Sequence, residues 1–341
     1  MISSPPYSVT VIFGATACGK TDLAAHLFAN RAALPSPVRA MLPMEAQSND
    51  YDRGCSLAGK AEIISADSVQ VYRDMPIGSA QPSSALLAAL PHHLIGICSP
   101  DEEFSVADFV CKADALCKDI IGRGKLPVIV GGTAFYIKHF MYGLPVTPKA
   151  DSAVRNRLQE QMRRDGAASM HAALAAFDPI AARKIHPNDE YRIIRAHEIY
   201  IASGRPMSSF DLSYQYRERF RFCPLFLNRP REELYRRIEC RVDEMFSEGL
   251  VQEVQRLVAQ GYTADSPAMK AIGYREFFAL SPDDPANAPL QAVRELIKRN
   301  TKRYAKRQQT FFQSFPGAYS IDMTKPDCME QAFAIVSTFY A

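Results

Sequence analysis

The run Val9-Thr10-Val11-Ile12-Phe13 constrains this chain more than any other feature. It is apolar without alternation, ends at Gly14, and leads into Gly14-Ala15-Thr16-Ala17-Cys18-Gly19-Lys20-Thr21, a match to G-x-x-x-x-G-K-[ST]. Thr21 to about Arg31 then carries a helical pattern. A strand that does not alternate has no solvated face, so it belongs inside a sheet covered on both sides. The glycines allow the backbone to wrap an anion, and the N–H groups and the helix dipole supply positive potential. Lys20 adds a mobile cation and Thr21 a hydroxyl suited to Mg²⁺. The motif predicts a phosphate site without saying which phosphate, and a glycine-rich turn with no ligand would need the same glycines.

Two further runs repeat the pattern. Ile63-Ile64-Ser65-Ala66 stops at Asp67, and Val128-Ile129-Val130 runs into Gly131-Gly132-Thr133 after a helical stretch over Val106–Ile121. Buried runs separated by helices predict an α/β protein, a parallel β-sheet core flanked by helices. From about Leu144 to Cys223 helical periodicity and paired arginines dominate, which predicts an inserted all-helical subdomain. Pro224–Leu227 reads as a strand returning to the sheet, followed by long amphipathic patterns at Arg231–Gln260 and Leu290–Phe312. The expected division is therefore 1–143 with 224–341 as the core and 144–223 as the insertion. Residues 35–60, rich in Pro, Ser, Gly and Met without a period, read as a flexible surface insertion.

Composition narrows the class. The 341 residues are 47% apolar and 23% charged, enough for roughly two domains with cores. No stretch approaches the ~18 apolar residues that a membrane span needs, and no positive charge precedes the first apolar run as in a signal peptide. The eight cysteines include no C-x-x-C, which suits free thiols in a reducing cytoplasm. The net charge of +3 conceals an asymmetry. Residues 1–120 hold 8 Lys+Arg against 13 Asp+Glu, and residues 121–341 hold 32 against 24. A polyanionic partner is expected on the later part, although drift in surface composition gives the same totals.

Several residues are placed to carry chemistry. Asp67, at the end of the second strand, faces the ligand edge of such a sheet, where it can hold Mg²⁺ through water or act as a general base. Equally, it can cap the next turn through Ser68 and Gln70. Gly131-Gly132-Thr133 offers close backbone approach and a hydroxyl, as any tight strand-to-helix turn would. Lys298, Arg299, Lys302, Arg303, Lys306 and Arg307 recur every four residues on one helix, with Glu295 the only nearby acid in sequence. Such a ridge fits a nucleic-acid backbone or a solvated face. Val293, Ile297, Tyr304, Gln308 and Phe311 fall on another face, expected to pack inward. Arg237 or Arg241 could stabilise a leaving phosphate, and spacing does not choose between them. His92-His93 and His186 lack a second ligand set at metal spacing.

Taken together, GATACGKT (14–21), IISADSVQVYRDMPIGSAQP (63–82), PHHLIGI (91–97), VIVGGTAFYIK (128–138), HPNDEYRIIRAHEIY (186–200), MKAIGYRE (269–276) and YAKRQQTFF (304–312) closely resemble the tRNA dimethylallyltransferases, in order and along nearly the whole chain. The resemblance implies an enzyme that moves a dimethylallyl group from dimethylallyl diphosphate to N6 of the adenosine 3′-adjacent to the anticodon in tRNAs reading UNN codons. The phosphate loop would hold the diphosphate rather than ATP, and the helical insertion would grip the tRNA anticodon stem-loop. The implied roles are Asp67 as general base and Thr21 and Arg241 as catalytic partners. The implied diphosphate site is Gly14, Thr16, Ala17, Cys18, Gly19, Lys20 and Thr21, with Thr21 also on Mg²⁺. The implied tRNA contacts are Asp67, Ser68, Val69, Gln70, Thr133, Arg155, Tyr191, Arg192, Ile193, Ile194 and Arg195. They continue with Lys270, Ala271, Ile272, Gly273, Tyr274, Arg275, Lys306, Arg307, Gln308, Gln309, Thr310, Phe311, Phe312 and Gln313. A bacterial-type enzyme is implied, since no Cys/His finger follows the core; composition points to the cytoplasm, a monomer is the default expectation, and no membrane and no obligate protein partner are expected.

The sequence departs from the family pattern at four places. Cys18 replaces a usual Ser, Ala134 a usual Gly, Phe311 a common Trp and Gln313 a common Arg. Other functions on the same core are a nucleotide kinase or an adenylate isopentenyltransferase, which need neither the insertion nor the ridge. An RNA-binding protein without catalysis would not need Lys20, Thr21, Asp67 and Arg241.

Overall fold

The computed structural model describes residues 7–30, 57–145, 147–148, 151–210 and 214–341. The insertion expected at 35–60 lies outside them except for Leu57–Lys60. The chain divides into two compact units, Met1–Met141 with Tyr216–Ala341, and Tyr142–Gln215.

In chain order the first elements are β1 (Tyr7–Gly14), α1 (Lys20–Phe28), β2 (Ala61–Ser65), α2 (Ser84–Ala89), β3 (His92–His93), α3 (Val106–Gly122), β4 (Leu126–Gly131) and α4 (Ala134–Tyr142). Helices α5 (Ser152–Phe177), α6 (Pro179–Lys184) and α7 (Glu190–Ser203) follow. The chain then forms β5 (Phe220–Asn228), α8 (Arg231–Glu248), α9 (Leu250–Ala259), α10 (Arg275–Leu280), α11 (Leu290–Phe312), β6 (Tyr319–Asp322) and α12 (Cys328–Tyr340).

The six strands form one sheet in the order β3-β2-β4-β1-β5-β6, and every pairing is parallel. Val11 at its centre pairs with Ile129 on one side and Pro224 on the other. Val9 to Gly14 is buried throughout, the consequence of a run with no polar face. One face packs Ile12, Ile63 and Leu225 against Leu23, Leu27 and Phe28 of α1. On β1 Phe13 stacks with Phe226 and meets Phe312 and Phe315. Pro224 sits where β6, which pairs only with Leu225–Asn228, does not reach, a position that tolerates a missing donor.

The helical unit has its own core of Leu158, Met162, Met170, Leu174, Ile193 and Ala196. Its limits differ from the expected 144–223. The returning strand begins at Phe220, four residues before Pro224, because Phe220–Cys223 pair with Tyr7–Thr10. The alternating exposed Arg221 in that stretch masks it as a strand. The pattern over 231–260 is two helices, broken at Gly249, whose φ of 105° lies in the left-handed region. The two-residue β3, the helix α12 and the edge strand β6 add to the elements expected from sequence.

Candidate active site

The carboxyl ends of β1, β2 and β4 deliver three segments to one edge of the sheet: the loop 14–19, Asp67 to Gln70, and Gly131 to Thr133. In parallel α/β sheets this edge is where ligands bind. The approach is tight. A Cβ at Gly131 would fall 2.1 Å from the carbonyl oxygen of Ala66, so only glycine fits there.

The loop's carbonyls point to cations. Lys20 Nζ donates to Gly14 O at 3.1 Å and Ala15 O at 2.8 Å. Arg237 Nε donates to Ala17 O at 2.9 Å, and Arg229 Nε to Cys18 O at 2.9 Å. Arg241 Nη1 lies 3.5 Å from Thr16 Oγ1. The structure thus separates the two arginines that spacing left equal: Arg237 grips the loop and Asp22, whereas Arg241 lines the cleft. Burial pushes the Arg241 guanidinium below its ordinary pKa, and it makes no ion pair among the described residues. A desolvated cation without a carboxylate partner favours an anionic ligand.

Asp67 Oδ1 accepts the N–H groups of Val69 at 2.9 Å and Gln70 at 3.2 Å. One oxygen therefore caps the turn, and Oδ2 lies outside that cap. Thr133 Oγ1 accepts from Ser68 N at 2.9 Å, joining the ends of β2 and β4. Gln70 is held through its side chain, by Ser65 Oγ at 2.9 Å and by donation to Ala80 O at 3.0 Å. Gln308 spans the two loops. Its Nε2 donates to Gly132 O at 2.7 Å, and its Oε1 accepts from Thr16 N at 2.9 Å. Tyr304, one turn earlier on α11, has its phenol pushed up to about 12, first by burial and then by the Asp67 carboxylate.

Two buried carboxylates hold Gly78 and Gly273, which line the cleft. Glu253, fully buried, accepts from Ile77 N and Gly78 N at 2.9 Å each and from Tyr274 OH at 2.7 Å. Glu276 accepts from Gly273 N at 2.8 Å and Asn300 Nδ2 at 2.7 Å. The cleft measures about 400 Å³. Thr16, Lys20, Thr21, Asp67, Gln70, Arg241, Lys270, Arg275, Tyr304 and Arg307 line it. Arg229 and Glu253 have no sequence signal beyond ordinary charge, and Glu276 closes the block 269–276 without being singled out as a site residue.

Other candidates are placed elsewhere. Ile193, Tyr274 and Phe312 are in cores, where their part is packing. In the helical unit Arg155 and Arg195 share the buried Glu198, at 2.6 and 2.9 Å, Arg192 pairs with Asp189, and Tyr191 is 73% exposed. Gln309 Nε2 donates to Arg229 O at 3.2 Å, and Lys306, Thr310 and Gln313 are exposed. Phe312, rather than Phe311, joins Val293, Ile297, Ala305 and Gln308 on the buried face of α11. The ridge is partly compensated, against expectation. Lys298 pairs with Asp243 at 2.8 Å and Lys302 contacts Glu239, both acids from α8, while Arg299, Arg303, Lys306 and Arg307 are exposed. His93 Nε2 contacts the buried Glu62 at 2.8 Å, and no group of three or more His, Cys, Asp or Glu side chains at metal distance exists among the described residues.

Strand order, all-parallel pairing and a glycine-bracketed loop opening a helix define a parallel α/β protein with its cleft at the carboxyl edge. The chain belongs to the IPP transferase family, whose model matches residues 70–315. It is 41% identical to the tRNA dimethylallyltransferase of Geobacter sulfurreducens over 90% of this chain and 89% of that one. It is 45% identical to that of Geobacter metallireducens over 74% and 81%. Among solved structures it resembles the full-length tRNA isopentenylpyrophosphate transferase of Bacillus halodurans (TM-score 0.63, 32% identity, 98% and 96% covered). It also resembles a eukaryotic dimethylallyltransferase solved acting on tRNA (TM-score 0.72, 25% identity, 98% and 79% covered). Among the described residues no helix is long and apolar enough to cross a membrane.

Proposed function

We propose that this enzyme transfers a dimethylallyl group from dimethylallyl diphosphate to N6 of the adenosine 3′-adjacent to the anticodon, in tRNAs reading UNN codons. The observation that carries the reading is the meeting of Asp67, Lys20 and Arg241 in one cleft whose rim bears Arg275 and Arg307. A carboxylate, an anion cradle and an outer ring of cations are what an amine acceptor, a diphosphate donor and an RNA backbone each require.

In this reading the exocyclic amine attacks the allylic carbon. The N6–C bond forms as the C–O bond to diphosphate breaks. The amine is weak because its lone pair is delocalised into the ring, and Asp67 accepts its proton through Oδ2. Lys20, the loop amides and Arg241 stabilise the charge gathering on the leaving diphosphate. Reaching the cleft requires the target base to leave its stack, at a cost of a few kcal/mol.

Thr21 fits Mg²⁺ in the limited way that ion asks for. One hydroxyl lines the cleft without a carboxylate cluster around it, so the remaining ligands would come from diphosphate and water. When bound, the ion neutralises diphosphate charge. We further propose a monomer working in the cytoplasm.

The test is transfer of label from radioactive dimethylallyl diphosphate to an unmodified anticodon stem-loop, with AMP as a parallel acceptor. Label on the RNA alone supports the reading. Label on AMP alone moves the enzyme to a small-molecule acceptor and leaves Arg307 and its neighbours without a task.

A further inference from the structure

Single exposed apolar side chains are ordinary on any protein surface. Phe135 is different in its setting. It lies on the first turn of α4, 48% exposed, three residues after Gly132 of the cleft wall. Its ring centroid is 5.4 Å from that of Phe311 and 6.2 Å from that of His139. Phe311 is backed in turn by Phe315 at 5.7 Å. The exposed ring is therefore propped from within rather than loose.

The neighbourhood identifies what would cover it. Lys306 and Arg307 precede Phe311 by about one turn of α11, both exposed, and Arg307 also lines the cleft. A flat apolar ring beside cations at the mouth of a phosphate-handling cleft matches one chemistry, an unpaired nucleobase on an anionic backbone. The base offers a π face to the ring, and its phosphates meet the cations. An apolar protein segment would leave those cations unused.

We propose that Phe135, propped by Phe311, is a stacking platform for one unpaired base of the RNA loop, beside the base that enters the cleft. This rests on the RNA-acceptor reading above. Phe135 thereby holds the loop open while its neighbour is extruded. It sets affinity for the RNA and leaves affinity for dimethylallyl diphosphate untouched.

The experiment measures binding of an unmodified anticodon stem-loop, and of a set of stem-loops each carrying one abasic loop position, to the wild type, Phe135→Ala and Phe135→Trp. Binding of dimethylallyl diphosphate to each variant reports that the core is intact. Base–aromatic stacking predicts that Phe135→Ala weakens binding of the intact loop by about 5- to 100-fold and that Phe135→Trp restores it. One abasic loop should bind the wild type as weakly as it binds Phe135→Ala, so that the two losses do not add. Unchanged affinity in Phe135→Ala, or additive losses at every abasic position, overturns the platform. A wild type that transfers label to the intact stem-loop with no effect of Phe135→Ala rejects the platform alone. A wild type that neither binds nor modifies any stem-loop rejects the RNA reading along with it.

Discussion

Gln308 donates to the carbonyl of Gly132 at 2.7 Å and so fastens α11 to the turn that ends β4. The same side chain accepts from Thr16 N in the glycine loop. The helix that bears Arg307 on its exposed side therefore also sets the spacing between two segments of the cleft. Gln308→Ala strands a buried carbonyl and frees a loop amide, which should cost about 1–3 kcal/mol of stability. It should also raise the KM for dimethylallyl diphosphate more than the KM for RNA. Thermal unfolding and steady-state kinetics check both parts.

In the proposed mechanism Asp67 serves its turn with Oδ1 and its substrate with Oδ2, which decides the better substitution. Asp67→Ala removes the cap along with the base. Asp67→Asn keeps an oxygen for Val69 N and Gln70 N while removing the proton acceptor. Asp67→Asn is expected to lower turnover by about 10²- to 10⁴-fold with RNA affinity nearly unchanged. Parallel loss of turnover and RNA binding contradicts a role as base.

The ridge of α11 divides into two classes of cation. Lys306 and Arg307 are exposed, while Lys298 and Lys302 are held by Asp243 and Glu239. Lys306→Ala with Arg307→Ala should reduce the slope of log affinity against log salt by about one for each phosphate that is no longer neutralised. Lys298→Ala with Lys302→Ala should leave the slope unchanged and cost no more than about 1 kcal/mol per pair. Titration of stem-loop binding at several salt concentrations separates them.

Glu62 supplies a pH dependence away from the cleft. It is buried, and its bonds to Arg123 first, then His93 and Lys125, hold its carboxyl well below the usual carboxylate range. A depressed folded pKa means that its contribution is present above the unfolded value of about 4.3 and is lost as pH falls below it. Glu62→Gln should therefore destabilise the protein at neutral pH and flatten the loss of stability below about pH 4. Arg123 and Lys125 can turn to water, so the cost at neutral pH should be about 1–2 kcal/mol rather than that of a stranded buried charge. Denaturant unfolding at a series of pH values measures it.

What the chain's order of residues discloses is local. The central strand, the glycine loop, Asp67, Gly131–Thr133 and the whole span of α11 are legible because period and punctuation are properties of neighbouring residues. The rest depends on residues far apart in the chain. The acids that neutralise Lys298 and Lys302 come from α8, about 55 and 63 positions away. Tyr274 reads as available to RNA in the sequence, yet Glu253 and Gly78 enclose it in the fold. Arg229 is one arginine among many until its guanidinium reaches Cys18 O, 211 positions away. The strand β5 reads short because Arg221 breaks the apolar run ahead of Pro224, although pairing with β1 continues through it.

The most direct test replaces the adenosine 3′-adjacent to the anticodon of the stem-loop by guanosine and follows the product by mass spectrometry of the digested RNA. The account predicts one dimethylallyl group on that adenosine in the parent loop, and none anywhere in the replaced loop. Transfer to the replaced loop at an undiminished rate, or diphosphate release with no modified RNA in either, would contradict it.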